Sequence, residues 1–239
     1  MGRVATGSGL VDRLFGPGVA GVVAHLGGDT PEPRYPEEAL VVAGAVPRRR
    51  YEFLVGRACA HAALAAIGRD DAPIGVGPRR QPRWPAGVVG SIAHGGDWAG
   101  AVVASAGNTE SAWNIVGLGL DIEPVAPPLS GDVERLVLTA GERRRLPAEP
   151  GPATVAAKVA FTAKEAVYKA LHPSTGWSLE PADVEIDVDL ASGRWHARLH
   201  ERFPLDDRRL VGRFEVADHH LFAGVVVRVG DGRGRGGGR

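Results

Sequence analysis

Two carboxylates close an apolar run, Gly117-Leu118-Gly119-Leu120-Asp121-Ile122-Glu123-Pro124. Read as a strand, the run turns residues two apart to the same side, so Asp121 and Glu123 share a face at its end. Like charges that close raise each other's pKa unless a cation stands between them. Magnesium suits the position, because it takes a few carboxylates and completes its shell with water and substrate phosphates. A solvated acidic pair at a strand end also fits these two residues taken alone. Glu165, in a second stretch Phe161-Thr-Ala-Lys164-Glu165-Ala-Val-Tyr168-Lys169, can supply a third carboxylate. The chain has 28 basic residues, and its three lysines, Lys158, Lys164 and Lys169, all fall in this second region. A compact ammonium beside a carboxylate is suited to phosphate chemistry. Arg49 and Arg57 stand eight apart with Phe53 between them, on one helical face, and two guanidiniums near a helix start can hold a phosphate. His94, in Gly90-Ser91-Ile92-Ala93-His94, is a further candidate donor, and a turn or core histidine is the alternative.

The elements that must position these groups are a strand and two long helices. Thr154–Leu171 has strong helix formers and no Gly or Pro. Val155, Val159, Thr162, Ala166 and Ala170 form a small-residue apolar stripe along it. The same helix puts Glu165 and Lys169 one turn apart. Arg48–Ile67 is the other long helix, with Gly68 as its stop. Shorter elements follow the pattern: strands at Val19–Leu26, Gly90–His94, Trp98–Ala104 and Ile115–Glu123, helices at Glu37–Ala45 and Asp132–Leu146, and a loop at Asp70–Gly87. Strands close the chain at Asp183–Val188, Trp195–His200, Leu210–Val216 and Leu221–Val229. Trp98-Ala-Gly-Ala-Val-Val after the first long helix echoes Leu221-Phe-Ala-Gly-Val-Val-Val after the second. The echo suggests an α+β fold of two similar lobes, each a small mostly antiparallel sheet packed against a long helix, meeting face to face where pockets tend to form; chance likeness of two strand-like runs is the alternative. The predicted division is 1–116, 117–229 and a Gly/Arg tail over 230–239, which has nothing to bury and reads as disordered.

A chain of 239 residues with 44% apolar content can bury a real core, as one large domain or two lobes. Its formal net charge of zero selects neither nucleic acid nor an anionic membrane as partner. The single cysteine, Cys59, lies in an apolar helical run and reads as a buried, inert thiol, compatible with a reducing cytosol. No run approaches a membrane span, and Leu10–Leu26 is too broken for a signal peptide, so the expected location is cytoplasmic.

Taken together, Arg49/Arg57, Gly-Ser-Ile-Ala-His94, Gly-Leu-Asp121-Ile-Glu123 and Phe-Thr-Ala-Lys164-Glu165-Ala-Val-Tyr-Lys169 resemble the 4′-phosphopantetheinyl transferase superfamily, in its two-lobed type that activates siderophore, polyketide and nonribosomal peptide synthases. Its hallmarks are a G-[IV]-D-x-E strand and a [WF]-x-x-K-E-[AS]-x-x-K helix about 40 residues apart; here Asp121 and Lys164 are 43 apart, and Leu120 replaces the usual Val or Ile. The segment Pro82–Ser91 also resembles the family, and the likeness runs from about Arg48 to Leu171. The resemblance implies transfer of the phosphopantetheine arm of coenzyme A to a serine of an apo acyl or peptidyl carrier protein, with release of adenosine 3′,5′-bisphosphate. It implies magnesium on Asp121, Glu123 and Glu165, with Glu165 also the base for the carrier serine, directly or through water. It gives Lys164 to the leaving bisphosphate, and Lys169 to a phosphate or to Glu165. Arg49, Arg57, Ser91 and His94 would hold coenzyme A, with Arg79 assisting and Arg80 equally placed. Arg143–Arg145 could dock an acidic carrier surface. A monomer whose two lobes mimic a dimer, a pseudo-dimer with the site in the cleft between them, is implied. Two other functions use the same residues: a magnesium-dependent hydrolase of nucleotide pyrophosphates, and a nucleotide or RNA binder without chemistry. The binder leaves the three carboxylates unexplained.

Overall fold

The computed structural model describes residues 8–70, 72–107, 113–204 and 209–230. In chain order it begins with α1 (Ser8–Phe15), β1 (Ala20–His25), α2 (Pro36–Leu40), the long α3 (Pro47–Ala66), a short ladder of β2 (Gly75–Val76) with β3 (Pro82–Arg83), then β4 (Val88–Gly95) and β5 (Trp98–Ser105). The second half holds β6 (Trp113–Pro124), α4 (Gly131–Val137), α5 (Ala140–Arg145), the long α6 (Pro150–Thr175), β7 (Val184–Asp189), β8 (Arg194–Leu199), β9 (Arg209–Ala217) and β10 (His220–Gly230).

Two antiparallel sheets result, of three strands in the order β1-β5-β4 and of five in the order β6-β10-β9-β8-β7. The echo between the halves extends to topology. In each sheet the strand before the long helix pairs with the last strand, which pairs with the one before it. β5 and β10 take these central places because their small and β-branched residues can be covered on both sides. Ala99, Ala101, Val102, Val103 and Ala104 are all fully buried, as are Leu221 and Ala223. Helix α3 packs Val55, Cys59, Ala63 and Leu64 onto the first sheet, and α6 packs Val159, Ala163, Ala166 and Ala170 onto the second.

Strand β6 lies between α6 and the first sheet, and its period-two sequence fits both sides. Leu118, Leu120 and Ile122 are buried in a cluster with Val23, Val102 and Phe222. Each such side chain contributes about 1.5–3 kcal/mol of burial. The opposite face begins with Gly117 and Gly119 because no side chain fits there. A Cβ at Gly119 would stand 1.9 Å from the Ala166 carbonyl oxygen, and one at Gly117 2.2 Å from that of Ala170. The two glycines and the alanine stripe let strand and helix touch, and the next two residues on that face are Asp121 and Glu123. A slip of one residue would send the apolar face to α6 and the carboxylates into the core.

Several expected elements differ. The helix expected over 132–146 is two, α4 and α5, broken where Leu138 is extended and Thr139 starts a new helix by a capping box with Glu142. Helix α6 is longer than 154–171: Pro150 occupies its first turn, where no N–H is needed, and Gly176 ends it at φ 70°. The loop 70–87 contains the β2–β3 ladder. Helix α1 was not expected at all. It docks on the second sheet, with Arg13 doubly bonded to Glu215 at 2.7 Å and Phe15 seated over Gly224. Beyond Gly230 the Gly/Arg tail lies outside the described residues.

Candidate active site

Asp121 is 5% exposed, and Lys169 of α6 meets its Oδ1 at 2.6 Å. The other oxygen, Oδ2, is buried without a hydrogen-bond partner. Burial pushes the Asp121 carboxyl up, and the Lys169 ammonium opposes that shift. Glu123, half-buried two residues on, is raised by burial and then by the Asp121 charge. Glu165 on α6 is raised for the same two reasons in the same order. Three carboxylates from one strand and one helix therefore feel one another across a site poor in water. Among the described residues no three carboxylate, imidazole or thiol groups stand together as a ready-made metal cage. The donor set nonetheless fits a hard divalent cation: it is all oxygen, mutually repulsive, and has one buried oxygen unsatisfied.

Helix α3 and the first sheet bring an arginine and a histidine to this place. Arg49, on the first turns of α3, donates to His94 Nε2 on β4. Burial lowers the His94 pKa, and the Arg49 charge lowers it further. A neutral ring with Nε2 as acceptor agrees with that bond. His94 also feels Lys169 and Asp121, which ties it electrostatically to the carboxylates. Glu52 fixes the surroundings: its Oε1 takes Arg48 at 2.9 Å, and Oε2 lies 3.7 Å from His94 Nδ1. Arg79 and Arg80 sit on the turn between β2 and β3. With Gln81, Ser91, Tyr168 and Lys169 they line a cleft of about 170 Å³ between the ladder, β4 and α6. Both arginines reach this lining, so the choice left open between them stays open. A second hollow, of about 270 Å³, runs from Lys164, Glu165 and Tyr168 to Leu179 and Pro181.

Other expected site residues are engaged elsewhere. Lys164 is 6% exposed, and its ammonium donates at 2.8 Å to the Val137 carbonyl, the Pro181 carbonyl and Glu142 Oε2. All three N–H bonds are filled, leaving none for a leaving phosphate; Lys164 ties α6 to the turns beside it. Glu142 completes this joint by accepting from the backbone of Thr139 and Ile186, both at 2.6 Å. The sequence Thr139-x-x-Glu142 carried the capping signal that would have found it. Lys169 pairs with Asp121 rather than with Glu165. Ser91 Oγ accepts from Leu120 N–H at 3.1 Å and donates to the Leu120 carbonyl at 3.4 Å, so it stitches β4 to β6 instead of offering a free hydroxyl. Arg57 is buried behind Phe53 and the ladder, and its Nη2 reaches the Gly75 carbonyl only at 3.5 Å. Of the three arginines on α5, Arg143 bonds to the Leu138 carbonyl, Arg145 pairs with Glu185 at 2.9 Å, and Arg144 is exposed. Cys59 is buried, and burial pushes its thiol up to about 12, as an inert core cysteine requires.

Three carboxylates on one strand and one helix that feel one another's charge, with Arg49 of α3 and His94 of the first sheet beside them, suit a protein that handles phosphates. Comparison with known families sharpens this. The model of the 4′-phosphopantetheinyl transferase N-terminal domain matches residues 36–104, and that of the 4′-phosphopantetheinyl transferase superfamily matches residues 117–223. The chain belongs to the 4′-phosphopantetheinyl transferase superfamily. It is 40% identical to the 4′-phosphopantetheinyl transferase Svp of Streptomyces mobaraensis over 183 residues, 76% of this chain and 72% of that one. It is 36% identical to the 4′-phosphopantetheinyl transferase PptT of Mycobacterium tuberculosis over 177 residues, 74% and 75% of the two chains. Enterobactin synthase component D of Escherichia coli is 37% identical over 125 residues, 52% of this chain and 55% of its own. No helix among the described residues is long and apolar enough to cross a membrane.

Proposed function

We propose that the protein transfers the 4′-phosphopantetheine arm of coenzyme A to a serine of an apo acyl or peptidyl carrier protein, in a magnesium-dependent reaction that releases adenosine 3′,5′-bisphosphate. The observation that carries the reading is that Asp121, Glu123 and Glu165 feel one another's charge, with Asp121 Oδ2 unsatisfied and with Arg49 and His94 nearby. Asp121, Glu123 and Glu165 would hold the magnesium. When bound, the ion neutralises charge on the pyrophosphate under attack. Arg49, His94 and Lys169 supply positive charge and donors for the phosphates, with Arg79 or Arg80 at the mouth of the cleft and Arg57 behind it. The carrier serine's Oγ bonds to the phosphorus bearing the pantetheine arm, and the bond from that phosphorus to the bridging oxygen breaks, so the bisphosphate leaves. Glu165 takes the serine proton, directly or through water. With Cys59 buried, direct transfer to the carrier is the simpler route. Arg144 is the α5 arginine left for an acidic carrier surface. The chain divides near 1–116 and 117–229, at a boundary that falls inside β6 and that α1 crosses to reach the second sheet, and the protein acts as a cytoplasmic monomer.

The test is a mass measurement. Purified protein with magnesium, coenzyme A and an apo carrier protein adds one phosphopantetheine to the carrier. Replacing the acceptor serine with alanine, or chelating the metal, stops the reaction. Coenzyme A cleavage at the same rate without a carrier would instead make the protein a pyrophosphate hydrolase.

A further inference from the structure

A second cluster of charge lies buried beside α3, outside the groups that meet at β6 and α6. Glu38 of α2 is 2% exposed, and its Oε1 accepts from His61 Nε2 at 3.0 Å and from the Ile74 backbone N–H at 2.7 Å. The other ring nitrogen of His61 meets Asp70 Oδ1 at 2.5 Å. Asp70 Oδ2 pairs with Arg34 at 2.8 Å, and the Tyr35 ring lies 5.2 Å from the imidazole. Arg57 stands one turn before His61 on α3 and feels the Glu38 charge. The described charged groups around His61 are thus Glu38 from α2, Asp70 from the segment after α3, Arg34 from the loop before α2, and Arg57 from its own helix. Their signs alternate along the row.

A ring with carboxylate oxygens at hydrogen-bond distance from both nitrogens carries a proton on each. Burial works against that charge, but the hydrogen bonds to Glu38 and Asp70 outweigh it and raise the His61 pKa. Arg57 is the odd member. It is 5% exposed, and its Nε and Nη1 have no hydrogen-bond partner. A guanidinium with free donors near a buried carboxylate ordinarily closes into a forked pair. Here Glu38 is held by His61 and Ile74 instead.

We propose that His61 is a positioning residue for substrate binding: by holding Glu38, it keeps that carboxylate off Arg57 and leaves the guanidinium free for a phosphate of coenzyme A. The inference rests on the reading of Arg57 as a phosphate ligand given above. A neutral His61 would face one carboxylate with a lone pair, release Glu38, and let it compete with the substrate for Arg57. The Glu38–Ile74 bond lies one residue before β2, so the same joint also anchors the wall that carries Arg79 and Arg80.

Titration calorimetry of the full-length protein with coenzyme A tests this through suppression. His61→Gln should weaken binding about tenfold, the effect of losing one charge-assisted contact. The double variant Glu38→Gln/His61→Gln should regain most of that loss, because a neutral amide cannot neutralise Arg57; a merely structural role for His61 predicts a further loss. Wild-type affinity should also fall on the alkaline side, where His61 gives up its proton, relative to Glu38→Gln. A His61→Gln protein that binds like wild type, or a double variant no tighter than the single, overturns the proposal. If His61→Gln does not fold, Glu38→Gln alone decides: it must bind coenzyme A at least as tightly as wild type, and weaker binding overturns the proposal. A wild-type protein that binds no coenzyme A would sink the reading of the cleft itself, a different outcome.

Discussion

The unit built on α3 and the unit built on α6 share a strand order, yet they bring opposite charges to their junction. The first brings Arg49 and His94, with Arg57 behind them; the second brings Asp121, Glu123 and Glu165. Repetition supplies the scaffold twice, and the exposed ends of the repeated elements are free to diverge. At the end of β4, His94 follows Ala93 and leads into a Gly-Gly turn. At the end of β6, the glycines come earlier and the carboxylates occupy the last positions. In the proposed reaction a substrate carrying several phosphates would use both surfaces, so neither unit alone would suffice.

The comparison breaks most sharply on the acidic side. Glu165→Gln should slow transfer about a hundred- to ten-thousandfold, the range for losing a general base. The mass shift of the carrier protein measures it, and a rate near wild type would remove Glu165 from the reaction. Next in size is a test of the two lysines five residues apart on α6. Lys164→Met leaves Glu142 buried without its cation and should cost about 3–5 kcal/mol of stability in urea unfolding. Lys169→Met should cost much less stability, because its side chain is 27% exposed, and should lower activity instead. Equal effects on unfolding would show that the two lysines are not divided between scaffold and site.

On the basic side, Arg49→Ala should weaken coenzyme A binding about ten- to a hundredfold, the loss of one charge-assisted contact. Calorimetric titration reads it, and the defect should shrink with dephospho-coenzyme A if Arg49 holds the 3′-phosphate. The smallest effect concerns stability without metal. Burial and the Asp121 charge raise the Glu123 pKa in the folded state, so ionised Glu123 costs stability above the unfolded pKa. Glu123→Gln should therefore raise the melting temperature of metal-free protein at neutral pH, by about 2–4 °C for each kcal/mol recovered. The gain should vanish as pH falls below the ordinary glutamate range, where the wild-type carboxyl is protonated too. A gain that persists there would point to packing rather than charge.

Much of this was legible in the chain because it is written in local periods. The period of two in Gly117–Glu123 and the stripe on α6 are the two faces that touch, and alternation alone puts Asp121 and Glu123 beside the helix. What local pattern cannot show is which partner a charge finds. Lys164 and Glu165 are neighbours in sequence, but a helix turns successive residues about 100° apart, and one ends on Glu142 while the other feels Asp121. Ser91 looked available until β4 crossed β6. His61, Glu38 and Asp70 meet only because α2 and the segment after α3 fold back on the helix. The break between α4 and α5 was readable, since a threonine three before a glutamate marks a helix start.

The docking of α1 has a consequence for how the molecule is made. Of the strands that Ser8–Phe15 touches, β1 follows it at once, but β9 and β10 are made long after it. At 5–20 residues per second, α1 waits on the order of 10–40 s for β9 alone to begin. Through that interval the α3 unit can gather its own strands and β1 can cover part of α1, while Gly224, the seat of Phe15, does not yet exist. The nascent chain is thus left with a half-covered apolar helix until translation supplies the rest of its seat. A folding helper that recognises short apolar helices would find its target here, and release would come with the strand that completes the second sheet.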